Sequence, residues 1–194
     1  TPDAVGALAF VRAHLVERAE PPGHRFNYAS YLTNLLPLAL EQAYGRPAVD
    51  LYSERLFGRL GAEQRCEINA DPLGVPLVEG QVNLCLRDFA RWAALFAHDG
   101  RNLAGEAVVP PDWIAATLAP DAARRAAFQR SDLAQVFPAA HYANQCWVLD
   151  PARRRFAMLG IHGQFAWFDL PAQLMIVGMG SYPVQTAPAM THAL

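Results

Sequence analysis

The feature that most constrains the fold is the stretch PPGHRFNYAS, from Pro21 to Ser30, and the apolar run after it. Pro-Pro-Gly predicts a turn, because proline fixes φ and glycine accepts a positive φ. Ser30 is expected to cap a helix by accepting a backbone N–H. Leucine and alanine then recur at helical spacing up to Gly45, which predicts the helix end. Tyr28 would therefore lie just above a helix N-terminus, where partial positive charge favours a phenolate or an anionic substrate.

Helical patterns continue through the first two thirds of the chain. Pro37 predicts a kink in the helix after Ser30, or marks its true start. Residues 62–83 show no regular period and predict a long loop. Further helices are predicted over residues 3–17, after Pro47, over 84–97, from about Val108, and over 122–130, where the helix is expected to be exposed.

The pattern changes after Pro138, where short apolar and aromatic runs are separated by turn residues. Four strands are predicted, at residues 144–149, 156–159, 165–169 and 174–179. Helices followed by antiparallel strands are the order of an α+β fold and not of an alternating parallel sheet. The sequence therefore predicts one domain over residues 1–194, mainly helical at 21–137 and with antiparallel strands at 138–183.

The composition excludes several kinds of chemistry. All 16 basic residues are arginine, so no lysine can act within this chain. A net charge of -2 argues against a nucleic acid or an anionic membrane surface as partner, and no apolar run is long enough to span a bilayer. Three widely spaced cysteines form neither a metal pattern nor a disulfide framework. The composition is compatible with the cytoplasm and with the periplasm.

Five segments, in order, resemble the serine β-lactamase and penicillin-binding-protein superfamily. Tyr28-Ala29-Ser30 resembles its second motif, Tyr-x-Ser/Asn. The turn His162-Gly163-Gln164, followed by an aromatic strand, resembles its third motif. Three helix signatures lie between them, at residues 51–61, 83–92 and 108–113. The set looks most like the class C-like branch, which includes DD-peptidases, esterases and 6-aminohexanoate-dimer hydrolases, and it implies a helical subdomain packed against an antiparallel sheet with the site between them.

The resemblance implies roles for individual residues. In the superfamily, the serine of a Ser-x-x-Lys motif forms an acyl-enzyme that water then releases. Tyr28 would share the general-base work, and Ser30 would lie beside it in the substrate site. His162, Gly163 and Gln164 would form the substrate-binding edge. Histidine at the position often held by lysine can still donate a hydrogen bond, and it favours an esterase or amidase over a true β-lactamase.

The Ser-x-x-Lys motif is absent, because the chain has no lysine. In the superfamily this motif precedes the tyrosine motif, so we expect the chain to be the C-terminal part of a longer serine hydrolase, incomplete on its N-terminal side. The missing N-terminal segment or a partner chain would then cover an exposed sheet edge. The implied substrate is a small ester or amide, with no metal, organic cofactor or nucleic acid.

Other interpretations remain open. The chain could be a non-catalytic module of the same fold that binds a ligand or partner, or an unrelated α+β interaction domain. Ser30 could itself be a nucleophile paired with Tyr28 or His162. Three site residues also have a purely structural interpretation. In it, Tyr28 is a half-buried packing residue, Ser30 only caps a helix and His162 is a loop histidine without a role.

Overall fold

The computed structural model describes residues 6–14 and 20–185. Within these ranges the chain forms two compact units, which are considered separately. The first contains the described residues up to 14 together with residues 28–88, and the second contains residues 20–27 and 89–185. Helices and an antiparallel sheet make up the fold, as the α+β prediction requires. That residues 1–194 form a single domain stays a prediction.

The first unit is mainly helical. Its helices are α1 (Ala7–His14), α2 (Ser30–Thr33), α3 (Leu35–Tyr44) and α4 (Ala48–Arg55), with a 3-10 turn at Phe57–Arg59. Two short strands, β1 (Glu67–Ile68) and β2 (Val82–Asn83), pair antiparallel inside the segment predicted as a loop. The helix predicted over residues 3–17 is observed as α1. Gly6 precedes this helix, and residues 3–5 and 15–17 of the prediction lie outside the described residues.

The helix predicted after Ser30 is interrupted at Asn34. The buried Asn34 side chain accepts hydrogen bonds from the backbone N–H groups of Val78 (2.9 Å) and Glu79 (3.3 Å). Pro37 follows in the first turn of α3, where a missing N–H costs no helical hydrogen bond. Pro37 therefore marks the true start of the longer helix, one of the two outcomes that the sequence predicted.

Helix α5 (Leu86–Ala97) contributes residues 86–88 to the first unit and 89–97 to the second. The second unit adds α6 (Pro111–Leu118), α7 (Ala122–Gln129) and a 3-10 turn at Asp132–Gln135. The expectation that α7 is exposed is wrong for its last turn. Phe128 is fully buried, because its ring packs against Phe26 and Trp147 at centroid distances of 5.4 and 6.2 Å. Among the described residues, no helix has the length and apolarity needed to cross a membrane.

A five-stranded antiparallel sheet forms the core of the second unit. The strands follow each other in space as they do in sequence: β3 (His141–Ala143), β4 (Cys146–Asp150), β5 (Arg155–Leu159), β6 (Phe165–Asp169) and β7 (Leu174–Gly178). The four predicted strands are present. The first of them was predicted to begin at residue 144, but the observed strand β4 begins two residues later, at Cys146. Asn144 and Gln145 have φ values of 47° and 66° and form the tight turn of the hairpin between β3 and β4.

One face of this sheet packs against helix α5. Phe156 and Phe168 are paired across β5 and β6, and their rings stack with centroids 4.2 Å apart. Phe96 of α5 covers both rings, at 5.9 and 6.0 Å. All three side chains are buried, so this aromatic contact stabilises the packing of helix α5 on the sheet.

Candidate functional site

The second motif lies in the first unit, at the start of helix α2. Ala29 occupies the cap position and Ser30 is the first helical residue, without any side-chain cap bond. The prediction that Ser30 caps the helix is therefore wrong, because the chain enters the helix one residue earlier than expected. Ser30 is exposed, and its hydroxyl is not committed to holding a helix end.

Tyr28 immediately precedes this cap, and 49% of its surface is exposed. The sequence placed Tyr28 above a long helix whose dipole would favour negative charge. In the structure α2 has only 4 residues before the break at Asn34. A single turn carries few aligned peptide dipoles, so the electrostatic contribution expected at Tyr28 is smaller than predicted.

A surface cavity of about 440 Å³ opens beside Ser30 in the first unit. Its lining residues come from the start of α1, from α2 with the Asn34 that follows it, and from the loop between β1 and β2: Gly6, Ala7, Phe10, Ser30, Tyr31, Asn34, Asp71, Pro72, Leu77 and Glu79. Tyr28 is not one of them. The charged side chains of this lining are two carboxylates, Asp71 and Glu79, with no cation among the ten residues.

The two carboxylates have different surroundings. Burial acts to raise the pKa of Asp71, but backbone N–H donors, with Ala7 and Val75 first among them, outweigh it and hold that pKa below its usual value. Asp71 is thus an ionised carboxylate that organises its own loop. Glu79 has a buried Oε2 without a hydrogen-bond partner in the described part of the chain. The cavity is therefore acidic and disfavours an anionic group.

The third motif lies in the second unit, in the 3-10 turn Ile161–Gly163 between β5 and β6. His162 has a φ of 58°, in the left-handed region that residues with a Cβ rarely adopt. Its Nδ1 lies 2.7 Å from the backbone oxygen of Tyr182. Its backbone N–H donates to the oxygen of Gln185 at 2.9 Å, and its own oxygen accepts from the N–H of Tyr182 at 3.1 Å.

The next two motif residues contact the same returning segment. Gly163 is buried with a φ of 89°, and a Cβ built on it would lie 2.6 Å from Cε2 of the Tyr182 ring. Gln164 is exposed, and its Nε2 donates to the oxygen of Gly180 at 3.3 Å. In the structure both a side chain and backbone approach Gly163, because the Tyr182 ring and Cα of Gly180 lie against it.

Burial disfavours two of the three cysteines as alternative nucleophiles. Burial raises the pKa of the Cys146 thiol to about 12, so it stays protonated and unreactive. Burial also raises the pKa of Cys66. Cys85 donates its S–H to Asp88 at 3.2 Å. In the described ranges no three His, Cys, Asp or Glu side chains come together as a group that could hold a metal ion.

The predicted site residues therefore form two groups, one in each unit. Tyr28 and Ser30 start helix α2, while His162, Gly163 and Gln164 form the turn after β5. Sequence reasoning missed Tyr182, which contacts two of the three residues in the second group. The available signal was the Gly-Ser-Tyr-Pro run at residues 180–183, whose turn residues follow the last strand.

Helices joined to an antiparallel sheet, with a Tyr-x-Ser motif at a helix start and a His-Gly-Gln turn between strands, define a β-lactamase-like fold. Solved structures show this fold directly. A Bacillus anthracis protein assigned as a 6-aminohexanoate-dimer hydrolase aligns over 91% of this chain and 44% of its own, with a TM-score of 0.77 and 21% identity. A Bacteroides dorei protein assigned as a β-lactamase aligns over 97% and 63%, with a TM-score of 0.68 and 19% identity.

A sequence relative is more specific. The 6-aminohexanoate-dimer hydrolase of Paenarthrobacter ureafaciens is 30% identical over 158 residues, which are 81% of this chain and 40% of that protein. No family model matches the chain. The resemblance predicted from the ordered motifs is confirmed: the chain is related to β-lactamase-like hydrolases. The chain spans less than half the length of this curated relative.

Proposed function

We propose that this chain is the C-terminal part of a β-lactamase-like serine hydrolase that cleaves an ester or amide through an acyl-enzyme. The nucleophilic serine and its lysine would lie in a segment outside this chain. The observation that carries the proposal is the likeness to a 6-aminohexanoate-dimer hydrolase over 158 residues, together with the second and third motifs in their expected order.

The described residues support a division of chemical roles. Tyr28 is exposed at the start of α2 and is the proposed general base, which relays the proton of the attacking serine. Ser30 lines the cavity and would contact the substrate. His162 to Gln164 form the proposed substrate edge. No metal or organic cofactor has a role in this reaction.

The charge of the cavity supports the substrate class. Asp71 and Glu79 are its charged lining residues, and a buried carboxylate oxygen repels an anionic group. A β-lactam presents a carboxylate that β-lactamases usually meet with a cation, whereas this cavity has none in its lining. Beside Ser30, a neutral or amine-bearing part of the substrate therefore fits better than a carboxylate does.

Labelling with a fluorophosphonate probe, followed by peptide mass mapping, tests the proposal. It is applied to this chain and to the whole protein, alongside turnover of a p-nitrophenyl ester. We expect label on a serine outside this chain in the whole protein, and none on this chain alone. Label on Ser30 would instead make Ser30 the nucleophile. The absence of Ser-x-x-Lys from this chain also suits a non-catalytic module, and a lack of label on both samples would favour that function.

Substitution of Tyr28 tests the proposed base in the whole protein. Tyr28→Phe removes the hydroxyl and is expected to lower kcat by roughly 10²–10⁴-fold, the usual contribution of general acid–base catalysis. Tyr44→Phe is the matched control, because Tyr44 is a tyrosine of the same unit that is also 49% exposed. Equal activity of the two variants would remove Tyr28 from the mechanism.

A further inference from the structure

A short segment after the last strand holds the third motif in place. Residues 180–185, here called the strap, bind all three motif residues through their backbone or side chains. Gly180 donates its N–H to the oxygen of Gly163 at 2.9 Å, and Tyr182 exchanges hydrogen bonds with His162 on two sides. These bonds fix His162 in a left-handed conformation that an unconstrained residue with a Cβ seldom adopts.

The Tyr182 ring locks the strap onto the turn. Its Cε2 and Cδ2 atoms would lie 2.6 and 2.7 Å from a Cβ on Gly163, which is closer than any real Cβ contact allows. The ring therefore lies directly against the Gly163 backbone, and a side chain at residue 163 would displace it. This packing holds the Tyr182 carbonyl at hydrogen-bonding distance from the His162 imidazole.

The carbonyl decides which tautomer His162 adopts. A backbone oxygen can only accept, so Nδ1 at 2.7 Å must carry the proton. In the neutral ring, Nε2 then has a lone pair and no hydrogen. A hydrogen bond of ordinary net strength favours this tautomer by roughly tenfold.

We propose that Tyr182 is a positioning residue, which holds His162 as the Nδ1–H tautomer and so makes Nε2 a hydrogen-bond acceptor toward the substrate. Neutral His162 then recognises a donor, such as an amide N–H, and not a carbonyl oxygen. The sequence had suggested a donating histidine at this position. The role of His162 toward substrate rests on the proposed hydrolase function, whereas the tautomer and its control by Tyr182 do not.

Nitrogen NMR of the whole protein with ¹⁵N-labelled histidine tests the proposal, and spectra are recorded at alkaline pH. Signals of His162 are identified by their loss in His162→Gln. We expect the Nδ1–H tautomer in the wild type and in Tyr182→Phe, which keeps the ring. Tyr182→Ala and Gly163→Ala should shift the ratio roughly tenfold, toward that of a free histidine.

Several outcomes would overturn the proposal. An Nε2–H tautomer in the wild type would do so without any variant, so the result does not depend on whether Tyr182→Ala folds. A Tyr182→Ala variant with the wild-type tautomer ratio would show that the Tyr182 ring does not control the His162 tautomer. A change of that ratio as large in Tyr182→Phe as in Tyr182→Ala would show the same. The measurement needs no turnover. The NMR result can therefore contradict the tautomer proposal while fluorophosphonate labelling supports the hydrolase function, and the reverse can also occur.

Discussion

Asp88 is a single carboxylate that fixes the start of helix α5. Its side chain is fully buried and accepts hydrogen bonds from the backbone N–H groups of Glu63 and Gln64, with N···O distances of 2.9 Å in both. The neighbouring Arg87 is exposed, and its guanidinium lies 3.5 Å from the Glu63 carboxylate. Asp88 is therefore a structural anchor between the loop after α4 and the first turn of α5.

Removal of this carboxylate should be costly. Asp88→Ala removes the acceptor of the Glu63 and Gln64 backbone N–H groups and of the Cys85 S–H, and we expect the free energy of unfolding to fall by about 1–3 kcal/mol. Asp112→Ala is the control, because Asp112 is an exposed acidic residue in the first turn of α6 and should cost under about 1 kcal/mol. Urea unfolding monitored by circular dichroism measures both, and a similar loss in the two variants would contradict the anchoring role.

His141 is a buried histidine on strand β3, and neither ring nitrogen has a hydrogen-bond partner in the described part of the chain. Burial lowers its pKa, with Arg124 acting in the same direction. The folded state thus prefers neutral His141, while the unfolded chain takes up a proton near the ordinary pKa of about 6.5. The stability that depends on neutral His141 is present above that pH and is lost as the pH falls below it.

The corresponding test compares stability across this pH range. His141→Leu should reduce the loss of unfolding free energy between neutral pH and about pH 5, because the variant has no group to protonate there. His98→Gln is the control, since His98 is exposed at the end of α5. Thermal unfolding at a series of pH values gives the comparison. A slope as steep in His141→Leu as in the wild type would show that other groups cause the acid sensitivity.

At the scale of elements, the turn between β4 and β5 has a strained backbone at Arg154, which a glycine at this position would relieve. Arg154 is exposed and has a φ of 49°, where glycine is favoured. Its contact with Asp99, at 4.0 Å and at the surface, contributes little. Arg154→Gly should therefore raise the free energy of unfolding by about 0.5–1 kcal/mol.

The neighbouring arginine provides the matched control for this turn. Arg153 is also exposed but is not among the positive-φ residues, so Arg153→Gly should lower the unfolding free energy by about 0.5–1 kcal/mol through added freedom of the unfolded chain. Differential scanning calorimetry measures the two changes. Opposite signs are expected, and the same sign for both would rule out backbone strain at Arg154.

At the scale of the whole molecule, the sheet ends in strands that pair on one side only in the described chain. Strand β7 pairs with β6, and its Leu174 and Ile176 are each 46% exposed. Such an edge favours association with another strand. We propose that the remainder of a longer hydrolase covers it, in keeping with the chain spanning 40% of its curated relative.

Solution behaviour tests this edge. This chain alone should self-associate with rising concentration, and Ile176→Lys should reduce that association because a charge on an edge strand opposes pairing. Val136→Lys is the control, since Val136 is 42% exposed but lies outside the sheet. Sedimentation velocity gives the oligomer distribution. A monodisperse chain at all concentrations would contradict an uncovered edge.

The sequence predicted elements well where a local period was strong. Helix α5 and strands β5 to β7 lie close to their predicted bounds, because their apolar patterns reflect burial on one side. Strand β3 was missed, since three residues are too few for a period to appear. The burial of Phe128 was missed because it depends on Phe26, which lies a hundred residues away in the chain.

By itself, the sequence determined the α+β order, the ordered motifs and the exclusion of lysine chemistry within this chain, because these depend on residue type and local spacing. Only the tertiary structure decided that α2 stops after Thr33, at the buried Asn34, and that Tyr182 lies against Gly163. Both depend on contacts between residues far apart in sequence. Such contacts are formed by folding and leave no periodic pattern in the chain, so residue spacing cannot report them.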